Sequence, residues 1–183
     1  GNKIYPFHLG DINITTPINI IKKTELAMKE GKTGYVPSEG IPFLRDAIAN
    51  QIGTERNINL TRDNIVVQPG GKPVILKFIH CLMNPGDEVL YPNPGYPIYE
   101  SQIEYNGGIA IPYSYKTENN SFVIDRDQFE KSINSKTRIL IYNNYQNPMG
   151  SESSQEEMKW IADLAIKNNL WVLSDEAYFN IQY

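Results

Sequence analysis

From Asn64 onward, short apolar runs of strand length alternate with segments of helix length, and no other feature narrows the fold as far. Runs over residues 65–67, 88–91, 109–115, 138–142 and 171–174 read as strands. Between them lie a helix through Val74, Phe78 and Leu82, helices over 98–105 and 126–133, and one capped by Ser153 or Ser154 with Met158, Ile161, Ala162 and Ala165 turned inward. The 138–142 run is almost wholly apolar, as a strand covered on both faces must be, and 171–174 reads as a last buried strand. Strand and helix taking turns predict an α/β fold, an open and mainly parallel sheet flanked by helices on right-handed crossovers. Upstream, residues 1–16 keep no steady period and read as an N-terminal arm. Pro17 then opens a helix with Ile18, Ile21, Leu26 and Met28 as its apolar positions, and Pro42 opens another, to about residue 51, with Leu44, Ala47, Ile48 and Ile52 on one face.

The 183 residues suffice for one sizeable core. Seventeen Lys plus Arg against twenty-one Asp plus Glu leave a net charge of -4, so no positive field is available to gather nucleic acid or anionic lipid. The most apolar stretch, 73–83, is interrupted by Lys77 and His80 and is far shorter than the ~20 residues of a membrane span. The single cysteine, Cys81, has no partner for a disulfide or a zinc site, and a cytoplasmic location is the expectation. The chain starts with Gly1 rather than Met and stops just after a strand-like run, so both ends read as cut points.

Ligands of open α/β sheets bind outside the carboxyl ends of the strands, which directs attention to the loops that follow them. Gln68-Pro69-Gly70-Gly71-Lys72 is a glycine turn into a helix, where free N–H groups and the helix dipole suit a phosphate. It is no nucleotide-triphosphate loop, because Val66 and Pro73 stand where that motif needs Gly and Ser or Thr. In the loop at 91–99, prolines hold Tyr96 at the sheet mouth, where its ring could stack on a planar ligand. Asn147, before Pro148, is pushed out of helical geometry with its amide available, and Asp175 and Tyr178 follow the last strand with no His or Cys to complete a metal set. Singly, each also fits a plain structural role: a turn, a ring covering the sheet end, an Asx turn, a helix cap. Together, glycines for a phosphate, an aromatic for a ring face, an amide and a phenol for a ring hydroxyl and a carboxylate for a ring nitrogen are the groups that pyridoxal phosphate requires.

Six segments carry a family likeness: Gly34-Tyr35-Val36-Pro37-Ser38-Glu39-Gly40, Leu44-Arg45-Asp46-Ala47-Ile48, Pro69-Gly70-Gly71-Lys72, Asn84-Pro85-Gly86-Asp87-Glu88-Val89, Asn147-Pro148-Met149-Gly150 and Ser174-Asp175-Glu176-Ala177-Tyr178. In this order they resemble the class I and II aminotransferases, which are fold type I pyridoxal-phosphate enzymes. The resemblance implies that 17–183 is an incomplete large domain of that fold, without the small C-terminal domain. It implies that Gly70, Gly71 and Lys72 bind the cofactor phosphate, Tyr96 stacks on the ring, Asn147 and Tyr178 bond the ring hydroxyl, and Asp175 faces the ring nitrogen. Tyr35 would reach the phosphate of a partner subunit in a twofold dimer with shared sites, and Gly10 would lie near the substrate carboxylate. The substrates implied are an amino acid and a 2-oxo acid.

Two departures leave the cofactor reading intact: Gly10-Asp11-Ile12-Asn13 lacks the Pro and Asp common at its last two places, and Met149 stands for the usual Thr. A third concerns catalysis, since the family's catalytic lysine follows its Asp-x-x-Tyr segment and no lysine follows Lys167. The chain therefore reads as the N-terminal portion of an aminotransferase, inactive by itself. The alternatives are a lyase or synthase on the same scaffold, or a non-catalytic remnant that binds cofactor or serves in dimerisation.

Overall fold

The computed structural model describes residues 10 and 14–181. The chain divides into two compact units, Gly1–Val67 and Gln68–Tyr183. The sequence reading draws no such boundary inside 17–183. Most of the expected arm at 1–16 lies outside the described residues.

In the first unit, α1 (Ile18–Lys29) follows Pro17, whose carbonyl accepts from Ile20 and Ile21. None of its residues is buried, and Ile18, Leu26 and Met28 are exposed. The helix α2 (Pro42–Arg56) outruns its expected end and stops where Asn57 turns left-handed, with φ of 52°. Its inward residues are Arg45 and Ala49; Leu44 and Ala47, expected inside, are exposed. Arg45 is buried because its guanidinium is fully employed. Its Nε donates to the carbonyls of Arg62 (3.1 Å) and Ile65 (2.9 Å), and its Nη1 to the Glu39 carboxylate at 3.3 Å.

The strand expected over 65–67 does not form. Ile65 is extended, with φ -119° and ψ 129°, but a strand needs a ladder of backbone bonds, and no strand among the described residues pairs with this segment. Its polar groups go elsewhere: the Val67 N–H donates to the Glu39 carbonyl at 2.8 Å, and the Ile65 carbonyl accepts from Arg45.

The second unit is an α/β layer structure. Its strands β1 (Glu88–Pro92), β2 (Ile109–Tyr113), β5 (Thr137–Asn143) and β6 (Trp171–Asp175) form a parallel sheet in the order β2-β1-β5-β6. The helices α3 (Gly71–Leu82) and α4 (Ile98–Tyr105) cover one face. The other face carries α5 (Arg126–Lys131) and α6 (Gln155–Lys167). Alternate side chains of each central strand go to opposite faces: Val89 and Tyr91, Ile139 and Ile141 to the α3–α4 side, Leu90, Leu140 and Tyr142 to the other. The uninterrupted apolar runs follow from that double coverage.

Four details differ from the sequence reading. The third run ends at Tyr113, and a hairpin follows, β3 (Tyr115–Glu118) with β4 (Ser121–Ile124). It turns on Asn119 and Asn120, whose φ of 50° and 61° suit the left-handed geometry that asparagine tolerates. The helix α5 stops at Lys131, short of residue 133. In α6, which Ser154 caps by accepting from the Glu157 N–H, Ile161 and Ala165 face inward, but Met158 and Ala162 are exposed and Glu157 takes their place. A backbone donor explains the exchange: the Ile124 N–H, at the end of β4, donates to Glu157 Oε1 at 2.9 Å. Finally, β6 is the outermost strand among the described residues, and Trp171 and Val172 are exposed while Leu173 is buried.

The core is rich in phenols. Burial, then the Glu100 carboxylate, pushes Tyr91 up to about 12, and burial holds Tyr99, Tyr113 and Tyr115 higher still. These phenols must stay protonated in the folded state, while an unfolded chain releases their protons near pH 10. The stability they contribute is complete below about pH 10 and is lost as the pH rises through the folded values. The expected slope is about 1.4 kcal/mol per pH unit for each phenol. Urea unfolding of the full-length protein across this range, with near-ultraviolet absorbance following ionisation, measures it; a midpoint constant to pH 12 would contradict the burial.

Candidate functional site

The residues expected to bind ligand in the second unit stand on the loops that leave the carboxyl ends of β1, β5 and β6 and at the start of α3. Asp175 ends β6, beside Asn143 at the end of β5. Both of its carboxylate oxygens hold a donor: Oδ2 accepts from the Tyr99 hydroxyl at 2.7 Å, and Oδ1 from the Ala177 N–H at 3.2 Å. Tyr99 is completely buried on α4, and burial first, then the Asp175 carboxylate, drives its acidity far below that of a free phenol. It therefore remains a hydrogen-bond donor throughout the physiological range.

The ring of Tyr96 meets that of Tyr99 edge-on, with centroids 5.7 Å apart and planes at 86°. One side of the Tyr96 ring is thus fixed by a side chain that Asp175 itself holds. On the other flank, the buried amide of Asn143 joins two backbones, its Nδ2 donating to the Asp175 carbonyl (3.0 Å) and its Oδ1 accepting from the Asn147 N–H (2.8 Å). Tyr96, Tyr99, Asp175, Asn143 and Asn147 form one continuous chain of contacts.

Asn147 and Tyr178 line a single pocket of about 520 Å³ together with Pro148 and Gly150. Among the described residues neither the Asn147 amide nor the Tyr178 hydroxyl makes a hydrogen bond, so both polar groups are available to a ligand.

Gly70, Gly71 and Lys72 stand at the start of α3. Gly70 has φ of 100°, a conformation that glycine adopts without a Cβ penalty, and no side chain caps the helix. Pro73 brings no N–H, so the free donors of this first turn come from its neighbours, Gly71 and Lys72 among them. Ile75 and Ile79, further along α3, pack in the same cluster as Tyr99 and Leu173. Tyr35 and Gly10 belong to the first unit; both are exposed, Tyr35 completely.

Sequence reasoning missed Tyr99, Asn143 and Gln146. Tyr99 carried a signal, since it lies three residues past Tyr96 at the start of a helix, where i and i+3 share a face. The two amides carried none, because each donates to a backbone carbonyl distant in sequence, of Asp175 and of Pro94. Among the described residues no cluster of His, Cys, Asp or Glu could hold a metal ion, and no helix is long and apolar enough to cross a membrane.

Residues 5–183 match the sequence pattern of the family Aminotransferase class I and II. A probable aspartate aminotransferase of Methanocaldococcus jannaschii is 38% identical over 96% of this chain and 46% of its own length. An aspartate aminotransferase of Musicola paradisiaca is 36% identical over 100% of this chain and 46% of its own. Among solved structures, N-succinyldiaminopimelate aminotransferase from Mycobacterium tuberculosis superposes with a TM-score of 0.88 at 28% identity, over 92% of this chain and 44% of that one. The chain spans about half the length of the curated relatives it matches.

Proposed function

The chain belongs to the class I and II aminotransferases, and from that premise we propose that it supplies most of the cofactor pocket of a pyridoxal-phosphate enzyme moving an amino group between an L-amino acid and a 2-oxo acid. The observation that supports this reading is the contact chain from Tyr96 through Tyr99, Asp175 and Asn143 to the Asn147 backbone, which ties the loops that carry a ring, a carboxylate and an amide to one another. When bound, the cofactor supplies an electron sink for the pair left behind as a substrate Cα loses its proton.

The residues divide the remaining work by chemistry. Asp175 carries the negative charge that keeps a proton on a pyridine nitrogen, and Tyr99, itself protonated, fixes the angle of that carboxylate. Asn147 and Tyr178 direct unspent polar groups at the ring hydroxyl. Gly71 and Lys72 offer backbone N–H groups to the phosphate at the positive end of α3. Tyr96 covers one ring face and excludes water from it.

Tyr35, fully exposed in the single chain, would reach the phosphate in a second copy, and the working form would be a homodimer. Gly10 would lie by the substrate carboxylate. The lysine that holds the cofactor covalently is sought elsewhere in the whole protein, because Lys72 belongs to the phosphate end of the site. The relatives' names make L-aspartate the first amino donor to try.

The test loads the full-length protein with pyridoxal phosphate, reduces it with borohydride and maps the modified peptide. The expected result is one modified lysine and, in a separate unreduced sample, release of the amine form of the cofactor on adding L-aspartate. A cofactor that dialyses away after reduction, leaving no labelled lysine, would defeat the proposal.

A further inference from the structure

Gln146 is almost completely buried, with 3% of its surface exposed, and its side chain bonds to the two loops that carry Tyr96 and Asn147, with the Tyr115 hydroxyl of β3 a further neighbour. Its Nε2 donates to the carbonyl of Pro94 at 2.7 Å, two residues before Tyr96. Its Oε1 accepts from the Met149 N–H at 2.9 Å. Its own backbone closes the same loop: the N–H donates to the Ser151 carbonyl (2.9 Å), and the carbonyl accepts from the Gly150 N–H (2.7 Å). A buried amide satisfied at both ends cannot shift without stranding a donor or an acceptor. The bond to Pro94 joins loops 52 residues apart in sequence.

Resting on the cofactor reading above, we propose that Gln146 is a positioning residue for the ring half of the site: it sets the gap between the aromatic face of Tyr96 and the amide of Asn147. Asn143 fixes Asn147 against Asp175, and the Tyr99 ring fixes Tyr96 against the same carboxylate. Gln146 closes this loop of contacts from the remaining side. Among the described residues the start of α3, the phosphate end, makes no hydrogen bond with Gln146, so the two halves of a ligand should respond differently when Gln146 changes.

That difference supplies a readout that general destabilisation would not produce. Full-length protein stripped of cofactor is titrated calorimetrically with 4′-deoxypyridoxine phosphate, which keeps the ring, hydroxyl and phosphate but lacks the aldehyde, and separately with inorganic phosphate. Gln146→Glu keeps the acceptor for Met149 and loses the donor to Pro94; Gln146→Met keeps the length and loses both.

In both variants the ring analogue is expected to bind about tenfold more weakly, with phosphate affinity held within about twofold. Unchanged binding of the analogue, or an equal loss for both ligands, would overturn the assignment. So would the absence of a cooperative thermal transition in both variants, which would make Gln146 a folding residue only. A wild-type protein that binds phosphate but not the ring analogue would remove the cofactor reading itself, and this inference with it.

Discussion

Asp175→Asn in the full-length protein is expected to lower transamination about a thousandfold while leaving the fold intact. The side chain keeps its shape, and asparagine Oδ1 can still accept from the Tyr99 hydroxyl, which now sits 2.7 Å from Asp175 Oδ2. One acceptor, that of the Ala177 N–H at 3.2 Å, is given up to the amide nitrogen, and the negative charge is lost. Without it nothing beside the ring holds a proton on the pyridine nitrogen, and a neutral ring accepts the electron pair from the substrate far less readily. The deficit should fall in kcat more than in KM, because that charge matters most as negative charge develops in the ring. Single-turnover kinetics with a Cα-deuterated donor would show proton removal becoming slower. A variant within tenfold of wild type would show that Asp175 only ties the end of β6 to α4.

The largest stability effect is expected at Gly95. A Cβ built there would lie 2.1 Å from the Pro92 carbonyl oxygen, a backbone atom that no side-chain rotation can move aside. Pro92 is the last residue of β1, in register with Tyr113 of β2, and the next N–H, of Asn93, donates to the Tyr113 carbonyl at 2.9 Å. Relief of the clash therefore breaks sheet pairing or displaces the loop that carries Tyr96. Gly95→Ala is expected to cost about 3 kcal/mol, read as a lowered urea midpoint of the full-length protein. Gly34→Ala, with nothing within 4 Å of its added methyl, is the control and should change the midpoint little. Equal midpoints for the two variants would refute the close approach at Gly95.

The alternation that predicts the sheet survives in the structure for a physical reason: strands buried on both faces have no polar face to interrupt them, as Val89, Leu90, Ile139, Leu140 and Ile141 show. The failures have a common cause. At 65–67 the extended backbone was legible, but a strand is defined by its neighbour, and this segment's bonds go to Glu39 and Arg45. In α2 and α6 the inward face was assigned by apolarity, yet Arg45 and Glu157 are the residues that turn in, each answering backbone groups that a sequence pattern cannot reveal. The hairpin was missed although Asn119-Asn120 marks its turn, because the apolar run before it was read as one strand.

By itself the sequence determined the parallel α/β layering and the family, and it pointed to the loops proposed to carry ligand-binding side chains, because periodicity, turn chemistry and short motifs are local properties of the chain. Only the tertiary structure decided how those side chains are held. The bonds from Tyr99 to Asp175, from Asn143 to the Asp175 carbonyl and from Gln146 to the Pro94 carbonyl join residues 76, 32 and 52 positions apart. Such bonds exist only once the sheet has brought the carboxyl ends of β1, β5 and β6 side by side, and two of the three end on backbone carbonyls, which every residue possesses and no sequence singles out.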